Sequence, residues 1–523
     1  MDLLLYYAIL VGGFFTTLIL IRIASHLKDP ANSLSVFVSK HLIYPNLVGR
    51  HQLCGPWSRA QVLLCLLYIV INFFFLTFRV STVMIAGRRA GTLSVINMGL
   101  LFPTTHLSFF ADMLGISQIA CRQIHRFVGW LALVLLSFHI TVAMAKQGQT
   151  WSLRDEENLF AVVGATSMAG IALLSIPFAR RSFFEIYLRA HQAFAAVCIY
   201  STWRHLPSEA LNPRIYIYVP LGFLASTTLL YIALLVFRNG IFPPRQYPRA
   251  SITCDRVKQP STFHGNEGTT LKIRVVLSRP LQVKAGQYIY LWMPTVSLCS
   301  WAQVHPFMVT SWSPERQDVL ELFVQVRQGL TKILHSRAAL DGFASYTAIV
   351  SGPHGVSQSV SEYECVLAIA TDFGIAGVIP YLKQLFYGYN TSTSHVRRVH
   401  FVWQVQNIDI AISAEPLLNS LLSDDVLDEG YILEMSFYVA SEEAIGGGKP
   451  FGNHGRAVVF NGVPKYEEIV SEEASGSRIQ RLPDTPEEQG KTLLLVRDNL
   501  REIVCGHLSK KLSMLETHFQ PVP

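Results

Sequence analysis

Long apolar runs fill the first 240 positions of the chain, and beyond them the pattern breaks into short alternating stretches. The runs at 3–24, 60–78, 92–111, 126–145, 158–178, 192–206 and 215–237 mostly reach the roughly 20 residues that a helix needs to cross a bilayer. They predict seven spans. The first is too long for the core of a signal peptide and lacks a cleavage site, so it is read as a span. After Pro243-Pro244 the period changes. Leu271-Lys272-Ile273-Arg274-Val275-Val276 and Leu320-Glu321-Leu322-Phe323-Val324-Gln325-Val326 alternate, and turn residues separate them, which predicts an antiparallel barrel over 246–355. Over 362–523 apolar strands at 365–370 and 399–405 flank a helical stretch at 375–386, which predicts a parallel doubly wound sheet. Residues 467–490 are acidic, polar and proline-containing and are expected to form a disordered insertion with no chemistry. The expected fold is therefore an all-α membrane bundle over 1–240 followed by a β-barrel and an α/β domain.

Two of the spans each carry a pair of histidines 14 positions apart, His125 with His139 and His191 with His205. On a helix that spacing advances about 21 Å and falls about 40° short of four turns, so each pair lies on one face near opposite leaflets. If the two helices run parallel and face each other, His125 meets His191 and His139 meets His205. Two imidazoles on opposite sides of an iron porphyrin fill both axial positions, which suits electron transfer better than oxygen binding. A single membrane histidine more often packs against a neighbour and bonds a carbonyl. The repeated spacing favours haem ligation by all four, because ionisable groups in apolar spans are costly and tend to be functional.

Basic residues orient the bundle. Lys28, Lys40, Arg50 and Arg59 fall in the first loop, Arg122 in the third, and Arg180, Arg181 and Arg189 in the fifth, whereas the fourth carries Asp155, Glu156 and Glu157. Odd loops and the C-terminal half are expected in the cytosol, with the fourth and sixth spans parallel. Arg79, Arg88 and Arg89 in the second loop run against this assignment. The net charge of +7 forms no basic stripe with interleaved aromatics, so no nucleic-acid partner is expected. Eight cysteines without a CxxC pair indicate neither a disulfide framework nor a zinc site.

Arg89-Ala90-Gly91, Asn97, His125-Arg126-Phe127-Val128-Gly129, and Arg181 and Glu185 ahead of His191 resemble the membrane signature of the fungal ferric reductases. That family lies within the larger group that includes the superoxide-producing NADPH oxidases. The spacing of the second pair looks more like a metalloreductase than an oxidase. The resemblance implies a cytosolic ferredoxin-reductase-like module with FAD and NADPH sites. Gly286-Gln287-Tyr288 and His305-Pro306-Phe307-Met308-Val309-Thr310-Ser311-Trp312 look like the flavin site. Gly329-Leu330-Thr331-Lys332 resembles the segment opening a helix towards the flavin pyrophosphate, and Gly352-Pro353-His354-Gly355 the closing GPYG turn, with His354 for tyrosine.

The nucleotide site departs from the family. Asp372 stands where glycine is expected in the loop running to Gly374 and Ile375; Ala457 replaces proline after Gly455-Arg456; and His507 replaces proline after Cys505-Gly506. The Asp372 carboxylate would either repel a pyrophosphate or point away and cap the next helix. Arg397 and Arg398 offer charge to a 2′-phosphate. The chain reaches Phe519-Gln520-Pro521 early, so the last helix is expected to be short.

By this resemblance, NAD(P)H gives hydride to FAD, and single electrons pass through the His125/His191 haem and the His139/His205 haem to an acceptor across the membrane. Ferric or cupric chelate is the first expectation for that acceptor. Oxygen, an organic substrate of a biosynthetic route, or no acceptor at all in a haem protein with a degenerate nucleotide site remain alternatives. No side chain is assigned a catalytic role beyond holding cofactors. Membrane lipid is an expected partner and no protein partner is required. The plasma membrane or an internal membrane is the expected location.

Overall fold

The computed structural model describes residues 4–9, 11–13, 38–48, 57–147, 152–177, 184–207, 211–240, 246–254, 270–298, 300–426, 431–441, 448–452, 455–476, 478–479, 490–496 and 512–516. They separate into two compact units, residues 1–30 with 47–234, and residues 31–46 with 235–522.

The first unit is helical. Its main helices are α1 (Arg59–Thr77), α2 (Val83–Gly99), α3 (Leu107–Leu114), α4 (Gln118–Gln147), α5 (Glu156–Leu174), α6 (Phe184–His205) and α7 (Leu211–Arg238). Ser58 starts α1 with a capping box: its hydroxyl accepts from Gln61 N while its own N–H donates to the Gln61 side chain, pairing two donors that a helix start leaves free. Gly115 ends α3 in the left-handed region at φ 69°, as a glycine past a helix end does. Among the described residues five stretches are long and apolar enough to cross a membrane: α1, α2 continuing through α3, α4, α5 and most of α7. The count of seven is therefore not reached on that criterion. Helix α6 has the length, but Glu185, Arg189 and Arg204 dilute it, and most of the 3–24 run lies outside the described residues.

Two expectations change here. The span placed at 92–111 begins at Val83 and breaks at a 3₁₀ turn, Phe102–His106, where Pro103 sits. Arg88 and Arg89, counted as loop charges, lie inside α2, and the Arg89 guanidinium donates to the Phe78 carbonyl at 2.6 Å. Arg89 caps the end of α1, which is why it does not obey the loop-charge rule. Asn97, from the membrane signature, is a packing hub. Tyr68 OH donates to its Oδ1 at 2.7 Å, and its Nδ2 donates to Asn72 Oδ1 at 3.0 Å and to Leu93 O at 2.8 Å, while Tyr7 OH also reaches Asn72.

The second unit begins with the last turn of α7 and continues into strands. Here β1 (Arg249–Thr253), β2 (Thr270–Leu281), β3 (Tyr288–Trp292), β4 (His305–Met308) and β5 (Gln317–Gln325) precede α8 (Leu330–Asp341), β6 (Ala344–Thr347) and β7 (Ile349–His354). They form two antiparallel sheets, ordered β5-β2-β1-β6 and β4-β3-β7. Leu271, Ile273 and Val275 are buried between them while Lys272 and Arg274 alternate outward, the period of two that the sequence displays.

Then follow β8 (Cys365–Thr371), α9 (Ile375–Asn390), β9 (Arg398–Val405), α10 (Ile408–Ser413), α11 (Glu415–Asp424), β10 (Leu433–Val439), β11 (Lys449–Pro450), β12 (Ala457–Asn461), α12 (Tyr466–Ser475), β13 (Thr492–Val496) and β14 (Leu512–Glu516). The sheet runs β11-β12-β10-β9-β8-β13-β14, parallel except at β11. Residues 365–370 are all buried because helices cover both faces of such a sheet. Ala285 and Phe323 of the barrel belong to the α/β core, so the two expected domains share packing.

The expectation of a disordered 467–490 fails over its first part. Residues 466–475 form α12, with Val470 and Glu473 buried. One acid of this acidic helix meets Arg398 and His400 under the sheet, so its charge is neutralised and the helix docks. Residues 477 and 480–489 lie outside the described residues.

Candidate functional site

Helix α4 carries His125 and His139, and α6 carries His191 and His205. Helix α4 packs on α2 and α6 packs on α5, while among the described residues α4 and α6 do not pack closely on each other. The His125 and His191 rings approach to 6.1 Å between centroids, with their planes tilted by 51°. Two metal–imidazole bonds of about 2 Å, plus a ring radius of about 1.2 Å on each side, require about 6.4 Å. The pair therefore fits axial ligation of one iron.

The hydrogen bonds fix which nitrogen is free. His139 Nδ1 lies 2.8 Å from Gly87 O and His205 Nδ1 lies 3.0 Å from Glu157 O. A carbonyl only accepts, so each Nδ1 carries the proton and each Nε2 keeps a lone pair. His125 Nδ1 lies 2.9 Å from Thr104 Oγ1, and that hydroxyl spends its proton on Leu101 O at 2.5 Å. Thr104 therefore accepts as well, and His125 Nε2 is free to ligate. Holding the remote ring nitrogen in this way orients a metal-ligating histidine and raises its basicity. His191 Nδ1 is buried without a hydrogen-bond partner among the described residues. Gly91 of the signature makes room for His139: a Cβ there would stand 2.9 Å from its Nδ1.

In the barrel the flavin motif converges on the three-stranded sheet. Gln287 ties the turn before β3 to the end of β7, its Oε1 accepting from Lys284 N at 2.9 Å and its Nε2 donating to Gly355 O at 3.0 Å. Pro306 pairs with Tyr290 and Phe307 with Ile289; His305 pairs with Leu291. Tyr288, Tyr290 and His354 form an aromatic cluster with centroids 5.7–5.8 Å apart, so the histidine at the tyrosine position of the closing turn, between Gly352 and Gly355, keeps a ring there. Thr310 and Ser311 both bond to the backbone of Glu321. The Thr310 hydroxyl donates to Glu321 O at 2.8 Å, and Ser311 Oγ accepts from Glu321 N at 3.1 Å, so both lock β5. Gly329 precedes α8 at φ 79°, and a Cβ there would meet nothing within 4 Å. Thr331 braces that turn by accepting from Arg327 N at 2.8 Å. The open helix start with its free N–H groups suits an anion such as a pyrophosphate.

In the nucleotide loop the Asp372 side chain follows the second of its two alternatives and points away, though without capping the next helix. Asp372 takes φ 43°, a left-handed conformation that glycine adopts freely and aspartate tolerates at some cost. Its carboxylate neither faces the start of α9 nor caps it. Asp372 Oδ1 accepts from Gln406 N at 2.8 Å, just past β9, and its carbonyl accepts from Trp403 Nε1 at 2.8 Å. Phe373 stacks on Phe323 of the barrel at 5.3 Å. Gly374 and Ile375 then open α9, with clear space beyond Gly374.

Two arginines offered to the nucleotide are committed elsewhere. Arg456 donates to the buried Asp425 at 2.8 Å and lies 3.7 Å over the Tyr431 ring. Arg398 pairs with Glu473 and Glu434, each at 2.7 Å. Burial alone would raise the Glu473 carboxyl, but His400 and Arg398 outweigh it and hold it at about 2. Arg397 lies 3.8 Å from Glu364 and is half exposed. Cys505, Gly506, His507 and 519–521 lie outside the described residues, as does Arg181.

Reading the sequence missed Thr104, which acts 21 positions before His125 with no local signature, and the acids Asp425 and Glu473, whose partners are distant in the chain. The backbone acceptors at Gly87 and Glu157 leave no trace in residue type.

Comparison with known proteins agrees with this layout. Residues 90–202 match the family model of a ferric reductase like transmembrane component, and residues 262–358 that of an FAD-binding domain. The Ferric/cupric reductase transmembrane component 2 of Schizosaccharomyces pombe is 23% identical over 393 residues, covering 64% of each chain. The Ferric reductase transmembrane component 3 of Saccharomyces cerevisiae is 21% identical over 417 residues, 74% of this chain and 55% of that one. NADPH oxidase 1 of Mus musculus is 25% identical over 146 residues, 27% of this chain and 24% of that one. The chain spans between about a third and two thirds of the length of the first curated relatives it matches, 35% to 64%. Among solved structures, a flavohemoglobin from Malassezia yamatoensis aligns at TM-score 0.36 and 11% identity over 84% of this chain and 97% of that one, too loose a likeness to argue from. The membrane component and the FAD-binding domain are matched in the order in which they follow each other along the chain, so over these stretches the chain is similar to the ferric reductases and, over a shorter stretch, to the NADPH oxidases.

Proposed function

We propose that the chain is a transmembrane metalloreductase that moves electrons from cytosolic NAD(P)H through FAD and two haems to a ferric or cupric chelate on the other side. The observation that carries this reading is the approach of the His125 and His191 rings to 6.1 Å between centroids. When bound, the flavin exchanges a two-electron hydride for single electrons and the porphyrin irons carry those electrons one at a time. His125 with His191, and His139 with His205, would hold the two haems through Nε2, while Thr104, Gly87 and Glu157 keep three of the rings from rotating. Gln287, Tyr288, His305, Pro306, Phe307, Gly352 and Gly355 shape the flavin pocket; the N–H groups after Gly329 receive its pyrophosphate. Gly374 and Ile375, with Cys505 and Gly506, receive the nicotinamide nucleotide. Because Arg398 and Arg456 are held by acids, recognition there rests on the α9 start, and NADH and NADPH both fit. The C-terminal half lies in the cytosol, and the resident membrane is the plasma membrane or an internal one.

The test is an anaerobic visible spectrum of the full-length, FAD-supplied protein before and after NADPH, followed by addition of ferric chelate. Reduced b-type haem bands that appear with NADPH and disappear on adding the chelate are expected. Bands formed by dithionite but never by NADPH would remove the nucleotide from the chain of transfer. Superoxide release in air without chelate reduction would replace the metal acceptor by oxygen.

A further inference from the structure

The loop between β3 and β4, residues 293–304, is firmly built yet displays apolar side chains. Ser300 is fully buried and braces the turn: its hydroxyl accepts from Ser297 N at 2.9 Å and lies 2.9 Å from Pro294 O and 2.7 Å from Ser297 O. Trp292 Nε1 donates to Trp301 O at 2.9 Å, and Met293 and Val296 are buried beneath. From this base Leu298 stands 94% exposed, Trp301 68% and Val304 47%. A loop so ordered would ordinarily hide such groups, since their exposure in water is unfavourable.

The loop starts close to the strand position that holds the residue after the last membrane helix. Asn239, one residue past α7, grips Val350 of β7 twice: its Nδ2 donates to Val350 O at 2.9 Å and its Oδ1 accepts from Val350 N at 2.8 Å. Arg238 donates to Gly352 O, and Arg279 lies 4.2 Å over the Phe237 ring. Val350 is paired with Leu291, and Leu291 also with His305. The chain therefore leaves β3 and re-enters β4 about two residues, or roughly 7 Å, from the strand position that holds the helix end. The charge pattern matches as well. Residues 293–304 carry no charge, and between 268 and 314 there is no Asp or Glu but four basic residues, Lys272, Arg274, Arg279 and Lys284.

We propose that Leu298 and Trp301 insert into the bilayer interface, anchoring the flavin-bearing barrel on the lipid surface beside its own membrane helix. Indole rings favour the headgroup level, apolar side chains the acyl boundary, and a surrounding surface free of acids avoids repulsion from anionic lipid. His305 and Pro306 of the flavin motif follow the loop directly, so the anchor fixes the height of that strand above the membrane. The inference rests on the chain crossing a membrane and not on the electron-transfer reading, so it survives if that reading fails.

The experiment places full-length protein in lipid nanodiscs of ordinary or acyl-brominated phosphatidylcholine and compares tryptophan emission of the unmodified chain with that of Trp301→Phe. The difference isolates Trp301 from the other seven tryptophans. Haem absorption dims both lipid samples equally, so their ratio carries the result. The Trp301 contribution is expected to fall about twofold or more in brominated lipid, as for a ring seated at the acyl boundary. An unchanged contribution overturns the proposal. Iodide then identifies the reason: quenching by iodide puts the loop in water, and protection from both quenchers puts it against protein, whether the helices of the same chain or a second copy.

Discussion

The histidines of the helical unit and the arginines of the α/β sheet are both partly buried polar groups held by the protein, but they are held differently. Each of His125, His139 and His205 gives one nitrogen to a neighbour and keeps the other. Arg398 and Arg456 give their donors to carboxylates. A group held at one end remains available to a ligand at the other. A group neutralised by acids in the interior serves cohesion, because a buried charge without a partner is costly. The contrast teaches that partner type, more than burial, separates candidate ligands from structural polar groups.

The sharpest way to break the comparison is at the held-open nitrogens. His125→Ala is expected to leave the chain with one haem in place of two and to stop NADPH-driven chelate reduction, read by pyridine haemochrome content per flavin; two haems retained would end the ligand assignment. Next comes the neutralised group. Glu473→Gln should destabilise the soluble half by roughly 3–5 kcal/mol, the usual cost of removing one partner of a buried pair, measured by urea unfolding followed through flavin or tryptophan fluorescence. The same carboxyl sets an acid limit. Its value in the fold is about 2 against 4.5 unperturbed, so its contribution is complete above about pH 4.5 and is lost as pH falls towards 2, about 3 kcal/mol in all. Stability of Glu473→Gln should therefore vary less with pH across that window than stability of the unmodified chain.

A smaller effect is expected at the remote ring nitrogen. Thr104→Val removes the acceptor from His125 Nδ1 and should weaken retention of the His125/His191 haem by about tenfold, in the range for the loss of an outer partner of a metal ligand, followed by haem transfer to apomyoglobin. The smallest is at the nucleotide loop. Asp372→Gly trades the bond to Gln406 N for a relaxed backbone, and the carboxylate does not face the α9 start. The KM for NADPH should change by less than about threefold, under 1 kcal/mol. A tenfold drop in KM would mean that the carboxylate confronts the pyrophosphate.

How much of this was legible beforehand follows the range of the interactions. The histidine pairs were readable because helical periodicity places residues 14 apart on one face, and the barrel strands because alternation is local. The mixed record at Arg88 and Arg89 has the same origin: counting charges assumes they are in a loop, whereas Arg89 caps α1 from one turn into α2. The acidity of 466–475 suggested disorder because composition does not reveal that Arg398 and His400 wait some 70 positions upstream. Asp372 was legible as an oddity, but its partner Gln406 lies just past the next strand of the sheet, 34 positions on.

The carbonyl anchors of the outer histidines have a consequence for how the protein is made. His139 is tied to α2 and His205 to α5, so on the proposed ligation a haem held between α4 and α6 would add a link to helices that already share an apolar core. A ligand that binds only the assembled bundle stabilises it by mass action. Haem supply would then act as a late assembly factor, and cells short of haem would accumulate a chain whose bundle is less stable and more exposed to membrane quality control.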